Sequence, residues 1–322
     1  MTLGFQHCGV AVFAPSPILT VTVESGPEGG EVHFHPGGQG FWVARLAASL
    51  GARVSLCVPL GGESGDVLRA LLDAEGIEVL AVRTGGANAA YLHDRRSGER
   101  RPIVETQSPG LGRHELDELY GVAVTAGLAS DAMLLTGPRH EHVLPAETYT
   151  RLAADLRANG QRVLVDLSGE PLRAALRGGI DVLKLSVEEL QAEGFASGGG
   201  RADVGEAIRQ LSREGAESVL VSCGPDPALA LVGERLLEIV GPRFTEVDAR
   251  GAGDSMFAAL GVGLAAGLER EESLRLAVAA SALNVTRHGL GSGHLKEIER
   301  LLGQVRACEV APGGQEEATA SI

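Results

Sequence analysis

The sequence is poor in aromatic residues: phenylalanine, tryptophan and tyrosine make up 3% of it, with one tryptophan, Trp42, and three tyrosines. A surface on which nucleobases stack needs rings at intervals, and this chain has few to offer. Excess positive charge is missing as well. The formal net charge is −14, and the one group of arginines, Arg95, Arg96, Arg100 and Arg101, flanks the Ser97-Gly98 turn in the manner of a solvated hairpin tip. Phosphate backbones and anionic membranes reward the opposite balance, so neither nucleic acid nor membrane is an expected partner. Cys8, Cys57, Cys223 and Cys308 lie far apart, without metal-ligand spacing. They read as free thiols of a reducing, cytoplasmic compartment. No charged segment followed by a long apolar core opens the chain, so no secretion signal is expected. The longest apolar run, Met256 to Leu268, is short of the roughly 20 residues that cross a bilayer. It reads as a buried helix.

What is abundant is glycine, at 45 of 322 residues, in a chain that is 44% hydrophobic and 22% charged. That balance fits a globular protein with close helix-on-sheet packing and ligand sites lined by backbone. Phe5 to Phe13 predicts a buried first strand. Leu19 to Glu24 and Glu31 to His35 alternate as a hairpin. Gly37-Gly38 then opens a helix to Leu50, with Val43, Leu46, Ala47 and Leu50 at helical spacing. Strand and helix alternate from there, interrupted once by a second hairpin over Asn88 to Val104. The helices are expected at 64–75, 113–128, 145–159 and 204–214, and the strands at 53–58, 77–82, 132–135, 162–166, 181–185 and 218–222. From Gly253 to Val305 the chain is mostly helical, and residues from about 308 onward read as a disordered tail. Repeated strand–helix units mean a mainly parallel sheet covered on both faces, in one domain over 1–307. The two hairpins, about 18–35 and 86–105, do not fit that sheet and are expected to form a lid across the strand ends.

The chemistry concentrates in Asp248-Ala249-Arg250-Gly251-Ala252-Gly253-Asp254-Ser255-Met256, which runs into a helix. The small residues Gly251, Ala252 and Gly253 let backbone N–H groups converge at a helix start. Together with the helix dipole they favour an anion, such as a phosphoryl group in transfer. A carboxylate at Asp254 is placed to take a proton from an attacking hydroxyl. Taken alone, so short a pattern fits an ordinary turn at Gly253 and an N-cap at Asp254 better than a catalytic site.

The segment with its following Ser-Met resembles the C-terminal signature of the PfkB carbohydrate-kinase family. His35-Pro36-Gly37-Gly38-Gln39-Gly40, then Val43-Ala44-Arg45 and Leu50-Gly51, resembles that family's N-terminal Gly-Gly signature. Leu134 to Gly137, Val165 to Glu170, Lys184 to Leu190, Val221 to Gly224 and Val285-Thr286-Arg287 follow in family order. The similarity covers nearly the whole chain and is closest to the phosphofructokinase and tagatose-phosphate kinase branch.

The resemblance implies a ribokinase-like three-layer α/β/α sandwich with a small lid, and an ATP- and Mg²⁺-dependent kinase acting on a sugar or sugar-like small molecule. It makes Asp254 the catalytic base and Gly251, Ala252 and Gly253 the anion hole. It brings Lys184, Glu189, Ser222 and Gly224 to the nucleotide, with Glu189 also holding Mg²⁺ through water. It places Gly37, Gly38, Gln39, Trp42, Thr20 and Asn88 around the acceptor. It further implies a homodimer joined through the lid.

Departures cluster on the acceptor side. Thr20 stands where the branch has Asp, Gln39 and Trp42 where it has Lys and Asn, and Gly85-Gly86-Ala87-Asn88 keeps only the Asn of Thr-Arg-x-Asn. Thr136-Gly137-Pro138 replaces Ser-Gly-Ser. On the nucleotide side, Ser186 replaces the Asn of Asn-x-x-Glu, Pro227 a glycine of the Ser-x-Gly-x-x-Gly loop, and Arg250 a small hydroxyl residue. Such losses leave room for a different acceptor, or for a catalytically silent ligand-binding protein on the same fold. A dehydrogenase is disfavoured, because Gly37 to Gly40 follows a hairpin rather than opening the first βαβ unit.

Overall fold

The computed structural model describes residues 4–27, 29–245, 247–286, 291 and 293–310. In chain order the strands and helices are β1 (Gly9–Phe13), β2 (Ile18–Gly26), β3 (Gly29–Gly37), α1 (Gln39–Ser49), β4 (Arg53–Gly61), α2 (Gly62–Asp73), β5 (Glu78–Thr84), β6 (Ala89–Asp94), β7 (Arg101–Glu105), α3 (Arg113–Leu128), β8 (Ala132–Thr136) and α4 (Glu147–Ala158). They continue with β9 (Val163–Asp166), α5 (Gly169–Gly178), β10 (Ile180–Ser186), α6 (Val187–Ala192), α7 (Arg201–Arg213), β11 (Ala216–Cys223), β12 (Asp226–Val232), β13 (Arg235–Val240), α8 (Ala252–Ala265), α9 (Arg270–Asn284), α10 (Leu295–Leu302) and β14 (Arg306–Glu309).

Ten strands form one sheet in the order β14-β13-β12-β11-β10-β9-β8-β1-β4-β5. The run from β11 to β5 is parallel, and β12, β13 and β14 add an antiparallel edge. Strand β1 is buried along its length, and the two-residue period of a strand shares its side chains between two cores. Val10 and Val12 join the core under α1, α2, α8, α9 and α10, whereas Ala11 and Phe13 join the core under α3, α4, α5, α6 and α7. The resulting three layers are α/β/α, as the alternating pattern predicts. Close packing uses glycine: a Cβ on Gly261 of α8 would lie 2.7 Å from Leu134 Cδ2 on β8. Among the described residues no helix is long and apolar enough to cross a membrane, and Met256 to Leu268 lies in and just beyond α8.

The two hairpins form a separate four-stranded sheet, β3-β2-β6-β7, in which β2 and β6 pair in parallel. Its two faces differ. Val21, Val23, Val32, Phe34, Leu92 and Val104 share one face through their cross-strand pairing. Thr20, Thr22, His33, His35, Tyr91 and His93 share the other. Val21 packs on the core above α2, while Val32, Phe34 and Val104 remain about half exposed at 54%, 50% and 51%.

Some elements differ from the sequence reading. Helices α5 and α6, the hairpin of β12 and β13, and β14 carried no separate expectation. Strand β14 pairs with β13 and extends the ordered chain to Glu309, two residues past the expected domain end. Pairing with an existing edge orders a segment whose own composition is too polar to do so. The expected tail beyond Val310, and Arg287, lie outside the described residues.

Candidate active site

The strand ends β1, β8, β9 and β10 point to the N-termini of α1 and α8, and there the chemistry-bearing residues gather. The loop before α8 turns at Gly251, whose φ of +75° is left-handed and favours glycine. The N–H groups of Gly251, Gly253 and Asp254 are left without backbone acceptors among the described residues, as first-turn donors are. Gly253 also leaves room for Lys184: a Cβ there would lie 2.7 Å from Lys184 Nζ.

Lys184 is buried. It sits in β10, 5% exposed, and its ammonium donates to Asp166 Oδ2 at 3.1 Å. Asp166, at the end of β9, is 3% exposed. Burial pushes the Asp166 carboxyl up while the Lys184 ammonium opposes it. Burial works against the Lys184 charge too, but Asp166, Glu189 and Asp254 outweigh it and hold the ammonium above its usual range. Asp254, half-buried on the first turn of α8, is pushed up to about 7. Burial is the largest cause; the negative charges of Asp166 and Glu189 add to it, and Lys184 partly offsets them. A carboxylate so placed exchanges a proton near neutral pH beside a cluster of free N–H donors.

Glu189 sits on the first turn of α6 in a capping box. Its Oε2 accepts from Ser186 N at 2.7 Å, and Ser186 Oγ accepts from Glu189 N at 3.2 Å. Ser186, which departs from the family's Asn, is thus a working N-cap. No set of three or more His, Cys, Asp or Glu side chains among the described residues forms a metal cage. Mg²⁺ does not need one: it keeps several waters and takes one or two carboxylates plus substrate phosphates. Glu189, with one oxygen committed to its cap, and Asp166 fit that mode. Ser222 lies one residue before the end of β11, with its hydroxyl 3.4 Å from Leu185 O, and Gly224 follows the strand at φ +58°.

The crossing from β3 to α1 is tight. A Cβ on Gly37 would meet Thr20 Oγ1 at 2.9 Å, and one on Gly38, at φ +99°, would meet Ser16 O at 2.5 Å. Gln39 Oε1 accepts from Gly137 N at 3.1 Å, and its Nε2 lies 3.5 Å from Asp166 O. It therefore ties the ends of β8 and β9 together. Asn88 is buried and committed to backbone: Oδ1 accepts from Gly61 N at 2.9 Å, and Nδ2 donates to Pro59 O at 3.0 Å. It latches the base of the lid to β4. Trp42 packs edge-on to Phe41 with ring centroids 4.8 Å apart, with the Arg45 guanidinium 6.0 Å from its ring centre. Thr136 donates to Phe13 O at 2.7 Å.

The sequence reading gave Asp166 no role and did not single out Asn284. The pairing of Asp166 with Lys184 has no short-range signal, because 18 residues separate them. Asn284 did leave a trace, as the amide that ends the run of small and apolar residues from Leu276 to Leu283.

Residues 11–297 match the pfkB family carbohydrate kinase. Fold and family together define an ATP-dependent carbohydrate kinase. The chain belongs to the PfkB family. It is 32% identical to the ATP-dependent 6-phosphofructokinase isozyme 2 of Escherichia coli K12 over 260 residues, 80% of this chain and 83% of the relative. It is 27% identical to a 1-phosphofructokinase of Vibrio cholerae over 285 residues, 88% of this chain and 89% of the relative. The structure of E. coli phosphofructokinase-2 in complex with fructose-6-phosphate superposes with a TM-score of 0.76 at 28% identity, covering 92% of this chain and 99% of that one.

Proposed function

We propose that the protein transfers the γ-phosphoryl group of MgATP to a hydroxyl of a sugar, sugar phosphate or related small molecule, with Asp254 as general base. The observation that carries this is the half-buried Asp254 carboxyl, pushed up to about 7 next to the free N–H groups that begin α8. The acceptor oxygen attacks phosphorus, the bond to the ADP oxygen breaks, and the acceptor proton passes to Asp254. The N–H groups of Gly251, Gly253 and Asp254 stabilise the charge on the transferring group, and the Ala252 side chain stays small enough to leave them open. Lys184, held by Asp166 against Gly253, supplies a fixed positive charge at the same point. Bound Mg²⁺ supplies charge neutralisation on the nucleotide phosphates, with Glu189 and Asp166 as the carboxylates that hold it through water. Ser222 and Gly224 form the loop beside the nucleotide.

Gly37 and Gly38 let the acceptor approach the backbone ahead of α1, with Thr20 and Trp42 at its edge. Gln39 and Asn88 act on the acceptor indirectly, by fixing strand ends and the lid base. Thr20 and Gln39 replace the charged Asp and Lys of the phosphofructokinase branch, which favours an acceptor other than fructose phosphate. Val32, Phe34 and Val104 form an apolar patch on the lid, and a second copy of the chain is its proposed cover.

The test is ADP formation from MgATP across sugars, sugar phosphates, nucleosides and polyols. Turnover on one acceptor class is expected, and Asp254→Asn, which keeps shape but cannot take the proton, should lose about 10²–10⁴-fold in kcat. Turnover that survives Asp254→Asn unchanged overturns the base assignment. Silence across the panel together with MgATP binding favours a ligand-binding role.

A further inference from the structure

Asn284, the last residue of α9, is 5% exposed, and its amide reaches across to the loop that precedes α8. Nδ2 donates to Arg250 O at 2.8 Å, and Oδ1 accepts from Ser255 Oγ at 3.1 Å. Those two residues bracket Gly251-Ala252-Gly253-Asp254. Ser255 is itself 1% exposed, so its hydroxyl has no access to water and depends on this partner. The Arg250 carbonyl is the one that Asp254 N–H would meet four residues back if the helix continued regularly. The left-handed turn at Gly251 swings it towards α9 instead, where Asn284 takes it. Asp254 N–H stays free, and its direction is set by a side chain from another helix.

We propose that Asn284 is a positioning residue for phosphoryl transfer: it staples the two flanks of the 251–254 turn to α9 and so aims the free N–H groups at the transferring group. The role rests on the kinase reading given above. A second set of bonds keeps the fold independent of it. Val285 O accepts from Val247 N at 2.8 Å and from Asp248 N at 3.2 Å, so removing the Asn284 side chain leaves the loop attached to α9 by its backbone. What is lost is aim rather than attachment. Removing a donor from such a hole costs about 10²–10³-fold in rate, and an outer residue that orients donors costs about 10–100-fold.

The experiment compares the unmodified 322-residue chain with Asn284→Ala, Asn284→Asp and Ser255→Ala. Its first readout needs no acceptor: the affinity for MgADP, alone and with aluminium fluoride, a mimic of the phosphoryl group in flight. In the unmodified protein aluminium fluoride is expected to tighten MgADP binding. Asn284→Ala is expected to bind MgADP alone within about threefold of the parent yet lose about 10–100-fold of that tightening. Asn284→Asp, which keeps an acceptor for Ser255 but has no donor for Arg250 O, should behave as Asn284→Ala does, and Ser255→Ala should lose less. On an acceptor that turns over, the same variants should lower kcat with the KM for ATP nearly unchanged. Full tightening retained in Asn284→Ala overturns the proposal, as does a variant whose melting temperature falls while kcat does not. Absence of turnover by the unmodified protein would count against the kinase reading instead, and the fluoride comparison keeps the two failures apart.

Discussion

Four charged side chains, Asp166, Lys184, Glu189 and Asp254, set the chemistry at the scale of single residues, and only one of them is positive. Three carboxylates around one buried ammonium do not all ionise freely, and Asp166 and Asp254 are both pushed up. Activity should therefore rise with pH through about 7 as Asp254 ionises, and a kcat–pH profile with an acid limb there is the expected result. The same shift has a stability consequence. The folded value lies above the ordinary 3.8, so the native state holds this proton more tightly than the unfolded chain. That contribution is complete below about 4 and is lost as pH rises through about 7. Asp254→Asn has no proton to lose, so its melting temperature relative to the parent should climb between pH 4 and pH 8; a constant difference would contradict the shift. Gly253→Ala places a methyl carbon 2.7 Å from Lys184 Nζ and must displace the ammonium. About tenfold or more should be lost from kcat, with the lower end met if Lys184 re-packs.

The elements explain why the site is built where it is. Parallel strands bring their carboxyl ends to one edge, and helix starts face that edge across it. The lid is a second sheet with a polar face, Thr20, Thr22, His33, His35, Tyr91 and His93, and an apolar one. A monomer has little reason to hold Val32, Phe34 and Val104 half exposed on adjoining strands. Phe34→Glu puts a charge in the middle of that patch. Light scattering should show a dimer for the parent and a shift to monomer for the variant, with the lid sheet intact by circular dichroism. A parent that is monomeric at all concentrations would remove the lid as an interface.

At the scale of the whole molecule, nucleotide and fold are linked. A ligand that binds the native state alone stabilises it in proportion to the logarithm of its excess, about 2.7 kcal/mol at a hundred times its Kd. MgATP should therefore raise the melting temperature of both the parent and Asp254→Asn, because the base is not needed for binding. Lys184→Met should blunt that rise by removing the fixed charge near the phosphates. An equal rise in all three proteins would place Lys184 outside the nucleotide site.

Much of this was legible in the amino-acid order because it is local. The strand–helix alternation, the hairpins and helix 113–128 follow from periodicity over a few residues, and the Gly251 to Asp254 turn from its run of small residues before an apolar helix. The family resemblance then named Lys184, Glu189 and Asp254 as partners. What the order alone did not decide is which side chains are spent on backbone. Asn88 and Gln39 read as acceptor contacts, and only the packed chain shows Asn88 latched to Pro59 and Gly61, and Gln39 bound to Gly137 with its amide towards Asp166. The buried Asp166–Lys184 pair and the Asn284 staple joining α9 to the α8 loop were likewise decided in three dimensions. The reason is physical: a buried polar atom must be satisfied by whatever the fold brings within about 3 Å. That neighbour is set by how layers stack, over separations that no sequence period records.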